Sequence, residues 1–439
     1  MRTISILPDN DPHNGWSALL PKRSPKPVLE HELEAEFLVI GGGFAGLAAA
    51  RRLAELRPGA DIIVLEAEQV GEGAQGRNSG FAIDIPHNVG SSLAELAQAE
   101  QHARLSRAAI DALKAAVDAH QIDCDWRQDG KYHTAVSQRG VKQVLVPTRE
   151  MLDSLNEPYE WLEGAALHDR VGFEHYSTGI YTPGTVLLNP SALARGLADS
   201  LPKNVHLFEY SPVISLDLSM DVLARTPAGT VRAKKLILAV NGFIEQFGFY
   251  GGRLIHLAAH ASLTEPMNED QQKAMSGQRS WGITPANALV GTTLRRTPDQ
   301  RLLIRQHMQY LPKLAFDHKA RADIQKKHQD ILKQRFPMVD GLKLEYTWTG
   351  FICMSRNGAH GFGRLAPNVF GAVCQNGVGI TKGTIGGLLA AELACDEKSE
   401  LLDLMLRLEA PAALLPQPFL GLGVRGRIAW EKWLERAEF

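Results

Sequence analysis

Cysteine is scarce in this chain, and the little there is does not pair by spacing. Cys124, Cys353, Cys374 and Cys395 lie far apart and form no C-x-x-C motif. That removes a thiolate zinc site and a disulfide framework, and a reduced, cytoplasmic chain is the expectation. No apolar run approaches the length of a membrane span, and the first residues carry no signal-type apolar segment. An excess of one charge is missing as well. The 47 basic and 49 acidic residues leave a formal charge of −2, so neither nucleic acid nor an anionic membrane has an electrostatic claim on the chain as a whole. There is no internal repeat and no low-complexity block. What is present is 439 residues, 44% of them hydrophobic, enough for a large core and two closely joined domains.

The informative stretch is Glu36-Phe-Leu-Val-Ile-Gly-Gly-Gly-Phe-Ala-Gly46. Residues 37–40 are apolar and long enough for one buried parallel strand. Gly41, Gly43 and Gly46 then satisfy G-x-G-x-x-G, and residues 47–56 continue as an amphipathic helix that Pro58-Gly59 ends. In such a unit Gly41 permits the tight turn, Gly43 lets a pyrophosphate approach the backbone, and Gly46 lets helix and strand pack closely. The phosphates would rest on the free N–H groups at the positive end of the helix. Residues 61–66 read as the second parallel strand. Glu66, twenty residues beyond Gly46, stands where a carboxylate accepts from an adenosine ribose, and an acid there disfavours the 2′-phosphate of NADP.

Along the chain, residues 1–34 carry several prolines and read as an arm lying on the body, with disorder as the alternative. The loop Gly71-Glu-Gly-Ala-Gln-Gly-Arg-Asn-Ser-Gly80 has four glycines in ten residues, which suits backbone passing close to a ligand, or else a solvated turn. Ser92 and Glu95 make a capping box for a helix reaching about residue 117. Strand content follows at 126–136 and 179–188, and Asn189-Pro190 opens a helix through residue 197. Short strands are expected at 205–208, 213–216, 222–225 and 230–233, and a buried one at 236–240. A second sheet is expected from 257–263, 288–293 and 301–304, and 319–335 is a charged helix with a solvated face. Residues 369–373 return to a core strand, and Asn376-Gly-Val-Gly leads into a helix over 383–394. The domains implied are a dinucleotide-binding unit in three pieces (35–90, 185–245 and 346–400), a substrate domain inserted twice (91–184 and 246–345), and a helical tail, 401–439, interrupted by Pro411, Pro416 and Pro418.

Four features together resemble the FAD-dependent D-amino-acid oxidase superfamily, which includes sarcosine, glycine and γ-glutamylputrescine oxidases. They are the fingerprint from Gly41, Gly-Arg-Asn-Ser-Gly from Gly76, Leu188-Asn-Pro, and the run Phe362-Gly-Arg-Leu-Ala-Pro-Asn-Val-Phe with its following Gly-x-Gly turn. They cover residues 36–395, and Gly-Arg-Asn with Phe-Gly-Arg-Leu is most similar to the γ-glutamylputrescine oxidase branch. The resemblance implies an α/β fold: a Rossmann-like FAD-binding domain in discontinuous segments with an inserted antiparallel-sheet substrate domain. It implies FAD, expected to be non-covalent, and hydride transfer to the flavin from a carbon beside an amine nitrogen. The imine product then hydrolyses, and the flavin is reoxidised by O2 or another acceptor. The partner implied is a small-molecule amine or amino acid. The cofactor site implied is Gly41, Gly43, Phe44, Ala45 and Gly46; Glu66 and Ala67; Gly76, Arg77, Asn78, Ser79 and Gly80; Val213; Asn241 and Gly242; and Gly377, Val378, Gly379, Ile380, Thr381 and Lys382. Two departures stand out. Relatives commonly have Gly-His-Gly where this chain has Gly377-Val378-Gly379, and Arg356 falls several positions later than the carboxylate-binding arginine of small amino-acid oxidases.

For catalysis the candidates are Lys382, Arg305 and His260. Lys382 begins the C-terminal helix, where a cation can stabilise negative charge on the flavin; an exposed lysine is the alternative. Arg305 can pair a substrate carboxylate bidentately, ahead of Arg356; an outward-facing strand residue is the alternative. His87, His256 and His260 are possible bases, each set against a satisfied structural histidine. His256 and His260 share a strand face without a third ligand, so no metal site is expected. Trp281, Trp348 and Tyr310 can wall a pocket or simply pack. Two other functions compete: an FAD monooxygenase, disfavoured because Gly371-Ala-Val-Cys-Gln-Asn-Gly lacks the usual acid, and a flavin-binding protein without turnover.

Overall fold

The computed structural model of the protein describes residues 1–86, 98–315 and 320–438. Among them, the strands form a nine-stranded sheet, an eight-stranded sheet and a two-stranded ladder. Five parallel strands run together in the first sheet, in the order Val205–Phe208, which is an edge, Ile62–Leu65, Glu32–Ile40, Thr230–Leu238 and Val369–Val373. Alternate side chains of a strand point to opposite faces. Phe37 and Val39 enter one apolar cluster with Leu53, Leu193 and Ala390, while Leu38 and Ile40 enter another with Val213 and Phe247. Covering on both faces is why Ile62–Leu65, Val369–Val373 and the ends 37–40 and 236–238 of the two long strands are apolar without alternation.

The helix Phe44–Leu56 stops because Arg57 precedes Pro58, whose ring pushes it out of the helical region (φ −135°, ψ 72°). The helix Gly379–Ala394 begins four residues earlier than expected and crosses the first so closely that a Cβ on Gly387 would collide with the Ala45 carbonyl oxygen. The strands expected at 230–233 and 236–240 are one strand. Its first half pairs antiparallel with Val222–Arg225 and its second half parallel with Val369–Val373, with Glu32–Ile40 along the other edge.

The second sheet runs Leu344–Ser355, Leu254–Thr264, Leu302–Tyr310, Thr293–Arg296, Trp281–Pro285, Lys131–Ala135, Thr178–Thr182, Glu160–Glu163. Its neighbours are antiparallel except Lys131–Ala135 beside Trp281–Pro285. Leu344–Ser355 therefore belongs by pairing to this sheet, not to the dinucleotide-binding unit expected from residue 346. The strand expected at 288–293 is a turn, because Asn287 Oδ1 accepts the N–H groups of Leu289 and Val290 at 3.1 and 3.3 Å. Such side-chain bonds compete with a ladder, and the strand starts only at Thr293. Pro183 splits the stretch 179–188 into Thr178–Thr182 and Val186–Leu187. Lys131–Ala135 starts late, after Gly130 at φ +69°. The helix expected from Ser92 is described as Ala99–His120, and its capping box, like His87, lies outside the described residues. The charged helix Ala320–Arg335 is not simply solvated, since it buries Ile324, His328, Ile331 and Leu332.

The N-terminal arm is ordered on the body. Trp16 is 1% exposed, its ring meets Trp348 edge-on at 6.5 Å, and its Nε1–H donates to the Asn78 carbonyl at 2.8 Å. Arg77 clasps the arm by donating to the Asp11 and His13 carbonyls at 2.5 and 2.8 Å. Trp16→Ala removes both the packing and the hydrogen bond. It is expected to cost about 3–5 kcal/mol of stability in urea unfolding and to speed tryptic cleavage at Lys22 and Arg23.

Candidate cofactor and active site

A cleft of about 320 Å³ lies between the carboxyl ends of the parallel strands and one face of the eight-stranded sheet, and opens in part to solvent. Open parallel sheets bind ligands at that end because the helix N-termini gather there. Here two of them do. Gly43, Phe44 and Ala45 open one helix, Gly379, Ile380 and Gly383 the other, and all six line the cleft. Backbone N–H groups without intrahelical partners and two positive helix ends thus face one space, which favours an anion.

The first turn works as its spacing predicts. Gly41 sits at φ +107°, and a Cβ on Gly46 would collide with the Gly41 carbonyl oxygen. Gly43 differs: an added Cβ meets nothing closer than Gln75 Cβ at 4.0 Å, so the space beside it is open toward the cleft that Gly43 lines. The glycine-rich loop proves to be a second copy of this turn. Gly71, Gly73 and Gly76 repeat G-x-G-x-x-G, Gly71 sits at φ +96°, and a Cβ on Gly76 would collide with the Gly71 carbonyl. Gly73 and Gly43 cap their helices with nearly equal angles, φ −80° at both and ψ −165° and −175°. The spacing was present in the sequence, and it identifies Gly73, Ala74 and Gln75 as further cleft residues.

Several other expected residues meet at the cleft: Gly41, Glu66 and Ala67; Arg77, Asn78 and Ser79; Val213, Asn241, Gly242 and Gly377. Glu66 accepts the N–H of Gly42 at 2.6 Å and of Glu68 at 3.0 Å, and burial raises its pKa to about 7. The guanidinium of Arg77 is committed to backbone carbonyls of the arm and of Glu72, so it holds structure rather than projecting toward a phosphate. The buried Gln75 Nε2 and Asn241 Oδ1 have no partner among the described residues, a cost that a polar ligand in the cleft would relieve. Ile4, Ile6, Leu7, Pro8 and Asn10 of the arm also line the cleft, on no sequence signal beyond a short apolar run.

Gly46, Gly76, Gly80, Val378, Thr381, Lys382 and His260 are not among the lining residues. Gly46 and Gly76 serve close packing, and Val378 packs with Phe81, Ile83 and Leu187. Neither Thr381 nor Lys382 lines the cleft: on a helix whose residues 379, 380 and 383 face it, Thr381 falls on the far side and Lys382 on the flank. Lys382 is buried, and burial first and then the nearness of Lys382 lower the pKa of His360. His260 alternates with Ala259 and Ala261, which line the cleft, and so faces away. Its nitrogens meet Thr349 Oγ1 and Gln309 Oε1, both at 2.9 Å, and desolvation lowers its pKa. His256 is held by Glu245 at 2.7 Å. Trp281 and Trp348 are core residues, Tyr310 takes a hydrogen bond from Gln417, and Arg356 is exposed.

Arg305 does face the cleft. It lies mid-strand, donating to Thr293 Oγ1 at 2.5 Å and to the Ala288 carbonyl at 3.2 Å. Among the described residues no carboxylate pairs with it, and desolvation lowers its pKa to about 10, so it stays cationic at neutral pH. Ala259, Ala261, Thr284, Thr293, Met308 and Phe351 make the wall around it.

A glycine turn present in two copies, two convergent helix ends and a second sheet closing the cleft define a two-domain dinucleotide-binding protein of the α/β class. Residues 36–393 match the FAD dependent oxidoreductase family, DAO, and the chain belongs to it, with FAD as its cofactor. The γ-glutamylputrescine oxidoreductase of Escherichia coli is 26% identical over 385 residues, covering 86% of this chain and 88% of that one. The probable oxidoreductase OrdL of Haemophilus influenzae is 26% identical over 423 residues, 94% of each chain. Among solved structures, glycine oxidase from Geobacillus kaustophilus superposes with a TM-score of 0.71 at 19% identity, over 84% of this chain and 96% of that one.

The two kinds of glycine should separate on substitution. Gly46→Val is expected to fail in folding, because the clash is with backbone. Gly43→Val is expected to fold, by circular dichroism and thermal melting, yet to purify without flavin absorbance; a fully yellow Gly43→Val protein would refute this placement of the pyrophosphate.

Proposed function

We propose that the protein oxidises the C–N bond of an amine that also carries a carboxylate, an amino acid or a close derivative, using non-covalently held FAD. The observation that carries the reading is Arg305, a cation in the wall of the cleft with no acidic partner in the described protein. A guanidinium already oriented by Thr293 and Ala288 presents its fork to a carboxylate at little entropic cost. The names of the relatives point the same way, since glycine and γ-glutamyl amines each combine an amine with a carboxylate.

When bound, FAD supplies the acceptor for the hydride leaving the carbon beside the amine nitrogen. The N–H groups of the Gly41–Ala45 and Gly71–Gln75 turns would hold its pyrophosphate, Glu66 its ribose hydroxyls, and Gln75 and Asn241 its remaining polar edges. The positive end of the helix Gly379–Ala394, rather than Lys382, supports negative charge across the cleft. Ala259, Ala261, Met308 and Phe351 make a wall that disfavours an ammonium and lowers the amine's pKa, so the amine enters neutral. No protein base is then required, which agrees with His260 facing away. A covalent tether is disfavoured because the hydrogen-bonded Cys374 thiol, and then burial, push the Cys353 thiol well above its ordinary pKa. The four buried, unpaired thiols support a cytoplasmic setting. The division we favour is arm, three-piece FAD unit, twice-inserted substrate domain and tail, with the third FAD piece starting at about residue 356 because Leu344–Ser355 pairs with the second sheet. Reoxidation is by O2 or another small acceptor.

Anaerobic mixing of the yellow protein with amines, N-methyl amino acids and γ-glutamyl amines is expected to bleach the flavin only with carboxylate-bearing members; no bleaching by any of them would defeat the reading. Arg305→Gln should raise KM for the responsive substrate about a hundredfold, and leave its decarboxylated analogue unaffected. Glu66 yields a pH test. Ribose hydroxyls bind its ionised form, whose population in the apoprotein rises with pH through about 7. FAD should therefore bind about tenfold more tightly at pH 8 than at pH 6, as read by quenching of flavin fluorescence. Glu66→Gln should abolish the slope.

A further inference from the structure

The helix Phe419–Leu434 is laid on the body by a narrow strip. Gly421, Ile428 and Glu431 are buried, Asn287 Nδ2 donates to Glu431 at 2.9 Å, and Arg425 lies over the Tyr310 ring at 5.3 Å. The outward face reverses the usual order of a surface helix, which turns its apolar stripe inward. Phe419, Leu422, Trp430 and Trp433 are 61, 65, 54 and 58% exposed, with two glycines and an alanine between them on the same face. Trp430 and Trp433 are the exposed tryptophans among the described residues, and their rings lie 5.5 Å apart. At about 100° per residue the stripe covers roughly a third of the helix circumference, with Arg425 along one border and Arg427 along the other. Arg427 is also paired with Glu431, and no acidic side chain lies among the exposed positions of this helix.

We propose that this helix is a membrane-interface anchor that docks the protein on an anionic lipid surface, with its aromatic face at headgroup depth and its arginines among the phosphates. Tryptophan suits that depth because its ring is apolar while its N–H stays wet, and basic borders on an apolar stripe are the pattern of helices that lie in the interface plane. A second copy of the chain fits less well. The face is about 24 Å long and about 10 Å wide, well short of the roughly 800 Å² per partner that a stable interface needs. A twofold pairing would also bring like-charged borders together. The near-zero net charge of the whole chain conceals this local excess of arginine. The same helix packs through Val424 in a cluster with Met308, which lines the cleft, so docking places the substrate-domain side of the molecule next to the bilayer. The inference goes beyond the amine-oxidising reading and does not depend on it.

Flotation of the full-length, FAD-loaded protein with phosphatidylglycerol-containing phosphatidylcholine vesicles tests it. The protein is expected to float with these vesicles, less with pure phosphatidylcholine, and its tryptophan emission should shift to the blue. The double variant Trp430→Ser, Trp433→Ser should retain full flavin content and lose at least about tenfold in vesicle partition. Arg425→Glu should weaken only the phosphatidylglycerol-dependent part. The proposal is overturned if the wild type stays with the buffer, or if the double variant floats equally well. It is also overturned if light scattering finds a wild-type dimer that the double variant dissociates without any vesicle binding, which would assign the face to a second copy.

Discussion

The architecture depends on backbone meeting backbone where a side chain is missing. Gly46 rests on the Gly41 carbonyl, Gly76 on the Gly71 carbonyl, and Gly387 on the Ala45 carbonyl. The first two closures turn a chain segment straight into a helix whose free N–H groups face outward. The third draws the helix Gly379–Ala394 down onto the helix Phe44–Leu56, so that their positive ends open into the same cleft. A methyl group at any of the three would separate elements that must touch, and with them the dipoles that make the cleft attractive to a diphosphate.

Along the cleft the chemistry changes in step with the elements that supply it. At the strand ends stand acids and the arm, with Glu66 and Glu68 beside Asn10, which donates to Glu68 at 2.6 Å. At the far wall the eight-stranded sheet presents small apolar residues and one cation, Arg305. Strand alternation decides this division. Ala259, Ala261 and Arg305 share the cleft face, and Ala261 and Arg305 are paired across the ladder. His260, one residue along, is turned to the opposite face and saturated by Thr349 and Gln309. A histidine that sequence reasoning could offer as a base is thereby made structural.

Much of the fold was legible. The strands expected at 37–40, 61–66, 205–208 and 369–373 are present within a residue or so, except that the first starts earlier, at Glu32, and Asn189 caps its helix as expected, accepting from Ser191 and Ala192 at 3.1 Å. The repeated turn at Gly71 was also there to be found, because its spacing duplicates the first. Other readings failed for identifiable reasons. Residues 288–293 have strand-like composition, but Asn287 bends them into a turn. Arg77 looks like a phosphate ligand until the arm, distant in sequence, is seen to occupy its guanidinium. The clasp joins Arg77 to Asp11 and His13, and nothing local to either segment implies it.

The amino-acid order alone was sufficient to point to the dinucleotide turn, the family and the cofactor, because each motif that carries them is a short local spacing, where chain geometry leaves few choices, however far apart the motifs lie. The direction each candidate side chain faces was settled by folding. Whether Lys382, Arg305 or His260 reaches the cleft depends on the phase of a helix and the register of strands whose partners lie far away in the chain. Such long-range pairing is paid for by burial over the whole molecule, so no local pattern can foretell it.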